Sequence, residues 1–500
     1  IPVPSEVLNR IPLPSLNGIK FSYLMTHTNH HNKTEPYFNC DYCNVNATVQ
    51  NRIDKLPFKF QMNSIKSEFA QMYVIIDTST LSADQIMYLP LFVEFLFNSQ
   101  IRRGDEIIKI EVVKKQLLEE VYKYKKYLTY FSGMDLTLHI KVDVNNYVKG
   151  VNWLKRVINN TIFTKGRMGV YATQTVYHMD KRRKKEGKQG SLMFSDIMFR
   201  NNTIKYQTSA HQQIPFLKNL LNSLQKEPKE IINKFEVIRD QIMKPKHMSV
   251  YIAADFDKVS KHVDPFNPWM SFINTDDVDD SKILNVPKMR DLMSNRKLNN
   301  ITGYIVGLQA SQSSYLVKFS SAIFAAKHPD LPALRIAVKY FSIMEGPLWN
   351  GIRGNGFAYT VGLSHSFDAG VIILRILRSS NVIGAYKEAM AIIRNHIEGK
   401  SIWKVTLFES AKSNLIYGLI RSREGIDKML LKSISDEYQQ LPVYYEKYLL
   451  EQYLQVTLKD VINVTKKYLK PLMQTIDSTT LIETNTKNVN KVKSEMELMG

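Results

Sequence analysis

An α+β fold built twice, each copy a mostly antiparallel sheet packed against helices, is what this sequence predicts. Three observations lead there. The chain has 500 residues with 44% hydrophobic and 23% charged side chains, which is globular composition and too long for one ordinary domain. A strand–turn–helix pattern appears twice, at an offset near 232 residues. Strands and helices alternate irregularly with hairpin-like pairs, and no glycine fingerprint marks a nucleotide-binding crossover, which disfavours a parallel doubly wound sheet.

The elements follow in chain order. Residues 1–60 open with IPVPSEVLNRIPLPSLNG, punctuated by prolines that hold their neighbours extended, and read as a linker continuing from a longer polypeptide. The first domain, 61–260, starts its pattern at FAQMYVIIDTSTLSADQIMYLPLFVEFLF, a β-branched run, a turn and an apolar helical stretch. IEVVKKQLLEEVYKYKKYL (110–128) alternates apolar and charged positions at helical spacing, and MDLTLHIKVDV leads through Val148-x-Gly150 into a helix. MSVYIAADF closes the copy with a strand. Residues 261–300, rich in Pro, Asp, Asn and Ser, read as the interdomain linker. The second domain, 301–500, repeats the order from TGYIVGLQASQSSYLVKFSS, through AGVIILRILRSSNVIGAYKEAM with Val382-x-Gly384. Its long helix TLKDVINVTKKYLKPLM opens on a Thr457…Asp460 capping box, and STTLIETNT and VNKVKSEMELMG close it.

Charge and rare residues exclude several functions. The net charge of +20 permits acidic partners, but its densest run, Lys181-Arg-Arg-Lys-Lys-Glu-Gly-Lys188, reads as a solvated loop and no nucleic-acid motif accompanies it. Two cysteines cannot frame a disulfide scaffold. Cys40 and Cys43, with His27, His30 and His31 upstream, match no standard zinc spacing, so no metal is expected in this chain. Neither H-E-x-x-H nor H-x-x-E-H occurs among the eleven histidines, and no Gly-x-Ser-x-Gly elbow is present. Asn-x-Ser/Thr sequons such as Asn32, Asn46 and Asn159 are expected by chance in so Asn-rich a chain. No apolar run reaches the roughly 18 residues a membrane span needs.

One segment carries more than packing requires. GPLWNGIRGNGFAY (346–359) places four glycines among Trp349, Arg353, Phe357 and Tyr359, and the following FAYTVGL alternates like a strand. Glycines admit a second backbone close by, and an arginine and a tyrosine beside a strand edge suit an extended peptide. A helix-to-strand turn whose aromatics only pack fits the same residues.

This run resembles the hallmark of the fourth domain in the pitrilysin–insulinase family of zinc peptidases, nearest the branch that includes presequence protease. Arg353 and Tyr359, with Gly356 and Ala358 between, match that branch's R-x-x-G-x-A-Y pattern, and QSSYL (312–316) and AKSNLIYGLI (411–420) are similar as well. The resemblance covers nearly the whole chain and implies the C-terminal half of a peptidase whose two halves enclose an unfolded peptide. Arg353 and Tyr359 would then stabilise the transition state or hold the peptide backbone. Gly351, Gly354, Gly356, Phe357, Gln312, Ser313 and Ser314 would line the substrate side. Zinc would be bound by the N-terminal half, on the same or a separate chain, and the compartment would be cytoplasmic or mitochondrial. The alternative is a non-catalytic peptide-binding or scaffold subunit of the same fold.

Overall fold

The structure, a computed structural model, describes residues 25–29, 47–272, 287–294, 303–442 and 444–499. Cys40 and Cys43, His30 and His31, and the proline-punctuated opening lie outside these. His27 lies within them, buried on the edge strand β1 (Met25–Thr28).

Two sheets organise the chain. The first joins β1, β2 (Lys59–Ser64), β3 (Phe69–Asp77), β6 (Lys123–Leu128), β7 (Asp135–Asp143) and β8 (Met248–Ala254) in the order β1-β2-β8-β3-β7-β6. A separate hairpin, β4 (Ile101–Arg103) and β5 (Glu106–Ile108), stands between β3 and β6 in the chain. The second sheet joins β9 (Gly303–Gly307), β10 (Ser314–Ser321), β11 (Ala358–Ser366), β12 (Val371–Ser379) and β13 (Ser478–Thr484) in the order β11-β12-β10-β13-β9. Apart from β1, the sheets have one connectivity. Each copy's first strand lies parallel to its last (β2 with β8, β9 with β13), and every other pairing is antiparallel.

The duplication is present, but its register differs from the sequence reading. The stretch beginning near Gly303 was matched to the one beginning at Phe69. By position in the sheet, Gly303 of β9 corresponds to Lys59 of β2, and Phe69 of β3 to Ser314 of β10. The first copy's opening strand, KFQMNS, has no β-branched residue and so gives no strand signal to align. A second difference is local. The single helix read over 110–128 is a helix Ile110–Glu120 followed by edge strand β6. Val113 and Leu117 are buried one turn apart in the helix, whereas KYKKYL pairs with β7.

Each sheet buries both faces, which is why its central strands read as continuous apolar runs. One face packs on the copy's own helices: Trp153, Leu154 and Val157 of Tyr147–Asn159 in the first core, Ala385, Ala389 and Ile393 of Val382–Ile397 in the second. The other face is covered by a helix from the opposite copy. Met193, Phe194, Ile197 and Met198 of Gln189–Met198 lie on Phe319, Val371, Ile373 and Leu481 of the second sheet. Leu430 and Ile434 of Ile426–Tyr438 lie on Tyr73, Ile75, Tyr251 and Ala253 of the first.

The basic run takes part in this exchange and is not merely a solvated loop. Lys181–Arg183 form the last turn of the helix Lys165–Arg183, where cations face unpaired carbonyls. The turn that follows docks on the second sheet. Gly187 N and Gln189 N donate to the Glu483 carboxylate on β13 at 2.7 and 3.0 Å, and Ser313 N donates to Glu186 Oε1 at 2.7 Å. Gly187 has φ +76°, and a Cβ there would stand 2.7 Å from the Tyr315 ring. Part of the stretch read as a linker also packs on the first core. Trp269 is fully buried and donates to the Tyr147 hydroxyl at 2.9 Å, beside Phe58 and Phe60.

Candidate functional site

The Arg353–Tyr359 segment is held by a short π-helical turn, Trp349–Gly354, between the helix Leu331–Ser342 and β11. Its anchor is Ile352, fully buried in the second core, while Phe357 N closes the wide turn on Ile352 O at 2.9 Å. Gly351 lies against the helix Val382–Ile397, where a Cβ would approach Ile392 Cδ1 to 2.4 Å. Gly356 takes φ +74°, a region other residues enter at a cost, and turns the chain into the strand. The two glycines thus do different work: one lets a helix come close, the other reverses the backbone. Gly354 is exposed in the last turn.

Burying Ile352 leaves Arg353 outside. Its Cζ lies 4.6 Å from the Tyr359 ring centroid and 5.7 Å from that of Trp349. Tyr359 is 56% exposed at the start of β11. Phe357 packs on the second core, and its carbonyl accepts from Ser379 Oγ at 2.7 Å, which ties the turn to β12. Register brings the remaining expected residues to the same end of the sheet, because Ala358, Ser379 and Ser314 form one row across β11, β12 and β10. Ser314 is buried with its hydroxyl 2.8 Å from Thr484 Oγ1, and just before the strand Gln312 is exposed and Ser313 half-buried.

One residue of the site had no signal in the sequence. Arg378, on β12 opposite Tyr359, is exposed, has φ +54°, and places its Cζ 5.6 Å from the same tyrosine ring. It also hydrogen-bonds Tyr315, whose hydroxyl is pushed up chiefly by burial, then by the Glu186 carboxylate. The left-handed arginine inside LRILRS stands where β12 shifts register by one against β10, and no residue in the run marks that bulge.

β11 is the edge of its sheet: it pairs with β12, and no strand lies on its other side among the described residues. Its outward amides and carbonyls form a row that an extended peptide can join by main-chain hydrogen bonds. Arg353 offers five N–H donors in a planar fork, and the Tyr359 hydroxyl can donate to a carbonyl or oxyanion. Zinc does not fit here. Among the described residues no group of three His, Cys, Asp or Glu side chains could hold a metal. No helix among them is long and apolar enough to cross a membrane.

No family model matches the chain. It is 23% identical to an uncharacterised protein of Schizosaccharomyces pombe over 93% of this chain and 45% of that protein. It is 22% identical to one of Saccharomyces cerevisiae, over 90% and 45%, and 20% identical to one of Caenorhabditis elegans, over 82% and 41%. The chain therefore spans less than half the length of the curated relatives it matches. Among solved structures it is similar to a protease from Helicobacter pylori, with TM-score 0.64 and 13% identity over 86% of this chain and 97% of that one. It is also similar to a peptidase M16 inactive domain from Pseudomonas fluorescens, with TM-score 0.60 and 11% identity over 86% and 96%. The periplasmic protease PqqL from Escherichia coli gives TM-score 0.61 and 12% identity over 86% of this chain but 44% of that one. The fold is the one this chain shares with the peptidase M16 inactive domain and with these proteases.

Proposed function

We propose that this chain is the substrate-binding C-terminal half of a zinc metalloendopeptidase of this fold, with its two units divided as 61–260 and 301–500. The zinc belongs to an N-terminal half, and the substrate is an unfolded peptide held in the chamber between the halves. The observation that carries this reading is the exposed Arg353–Tyr359 pair at the open edge of β11. In it, the peptide pairs with β11, Arg353 grips a backbone carbonyl, and the Tyr359 hydroxyl donates to the oxygen of the bond under attack. Gly356 and Gly354 keep side chains out of the peptide's path, and Phe357 and Gln312–Ser314 border it.

The alternative, a non-catalytic peptide-docking subunit, draws on the inactive-domain neighbour and on the missing ligand set among the described residues. Both readings require peptide binding by this chain. The test is fluorescence anisotropy of a labelled unstructured peptide with the 500-residue chain, its Arg353→Ala variant and its Tyr359→Phe variant. Losing a charge-assisted hydrogen bond predicts about 10–100-fold weaker binding for Arg353→Ala, and the neutral bond of Tyr359 a loss of roughly threefold to tenfold. Equal binding by all three proteins would remove the site. Adding the remainder of a full-length relative with zinc then separates the readings: hydrolysis supports the peptidase half, and binding without hydrolysis the docking subunit.

A further inference from the structure

The ring of Tyr359 is shared by two cations. Arg353 and Arg378 place their guanidinium carbons 4.6 and 5.6 Å from its centroid, one from the π-helical turn and one from β12. Neither forms an ion pair among the described residues, although surface arginines and lysines elsewhere in this chain commonly do. Arg375, three residues earlier on β12, likewise has no carboxylate; it donates to the Ser364 hydroxyl of β11.

Two like charges against one ring repel each other, and the ring satisfies none of their N–H donors. An aromatic face attracts each cation and holds the pair in place, while apart from Arg378's bond to Tyr315 the ring leaves their N–H donors unsatisfied. The backbone adds a cost. Arg378 stands in the left-handed region, disfavoured for a residue with a Cβ, and glycine would occupy that position freely. On the β11 side the register pairs Ala358–Ser379 and Thr360–Leu377 continue past it, while against β10 the register shifts by one between Ser314 and Leu316, so Arg378 stands at a β-bulge beside Tyr359. An anion reached by both forks would relieve the repulsion and use the donors that remain beyond the Arg378–Tyr315 hydrogen bond.

We propose that Arg378, with Arg353, forms a two-guanidinium clamp for a carboxylate of the bound peptide, making Arg378 a specificity-determining residue that selects acidic peptides. The inference rests on the peptide-binding reading of the β11 edge. The carboxylate has two sources, an Asp or Glu side chain or the peptide's own C-terminus.

The experiment measures binding of three labelled peptides at low ionic strength, where screening is weak. The first carries several Asp and Glu residues and a C-terminal amide. The second has each replaced by Asn or Gln and keeps the amide. The third is the second with a free C-terminal carboxylate. A charge-assisted, bidentate site predicts that the first or third peptide binds about tenfold or more tighter than the second. Preference for the first assigns the clamp to side chains, and preference for the third to the C-terminus. Arg378→Gln should cut the preference below about twofold, and Arg378→Lys should restore it only in part, because an ammonium lacks the fork. Arg378→Gly removes the clamp and the backbone strain together, so loss of preference with an unchanged or raised thermal midpoint excludes misfolding. Equal affinity for all three peptides, or a preference that survives Arg378→Gln and Arg378→Gly, overturns the clamp but leaves the peptide site standing. Binding of none of them overturns both.

Discussion

At the residue scale, buried polar groups at the contact between the copies set the acid stability. His139 on β7 stacks on Tyr73 with centroids 4.2 Å apart, and its Nε2 lies 3.3 Å from Gln71 Oε1. Gln71 in turn donates to Asp427 of the opposite copy at 2.6 Å. Burial lowers the imidazole to about 4, and Lys123, Lys125 and Lys141 push the same way against Asp427. Above the unfolded value near 6.5 neither state binds the proton, so the contribution is complete. As pH falls below that, the unfolded chain takes a proton that the folded one refuses, and stability declines until about pH 4. The decline from this one group is at most about 3 kcal/mol. His247, lowered to about 4 by burial, acts in the same direction, while Asp436, raised to about 6 chiefly by burial, opposes both because its protonated form is favoured in the fold. Urea unfolding at pH 7 and 4.5 should therefore show a smaller loss for His139→Gln than for the parent, by about 2–3 kcal/mol. An identical loss in both proteins would mean that His139 titrates normally.

At the scale of elements, the reciprocal helix exchange unites the two copies, and Glu483 marks its most polar point. Its carboxylate is 1% exposed and raised by burial, yet it accepts from Gly187 N and Gln189 N at once. An amide in its place keeps one acceptor and turns a donor towards the other N–H. Glu483→Gln should therefore cost about 1–3 kcal/mol and loosen the turn before the helix Gln189–Met198. Limited proteolysis in that turn, faster in the variant, is the readout; unchanged cleavage and stability would contradict the role. This device also explains what the sequence could show and what it could not. The Thr457–Asp460 capping box, the closing strands and the apolar runs were legible because each is set by neighbours in the chain. The roles of Gly187 and Glu186 were not, because their partners Glu483 and Ser313 lie 296 and 127 residues away in the chain. The slip between β2 and β9 and the strand hidden in 110–128 have different causes. KFQMNS lies inside its sheet between β1 and β8 but is short and has no β-branched residue, whereas KYKKYL is an edge strand whose lysines and tyrosines give no apolar run.

At the scale of the whole molecule, duplication gives two equivalent sheet edges, and the proposed site uses one of them. β6 and β11 occupy equivalent edges, but only β11 is entered through a glycine turn that presents an arginine and a tyrosine. The Arg353–Tyr359 segment drew attention through its glycines and a family resemblance, and the structure sets the two side chains together, whereas Arg378 depended on a backbone conformation that no residue pattern encodes. The central claim is that β11 takes an extended peptide at its open edge. Amide hydrogen exchange of the chain with and without saturating unstructured peptide tests it most directly. If the peptide joins β11, exchange slows over Ala358–Ser366, the slowing is lost in Arg353→Ala, and the matching edge strand Lys123–Leu128 is unaffected. Protection confined to Lys123–Leu128 or to helices, with Ala358–Ser366 unchanged, would contradict it.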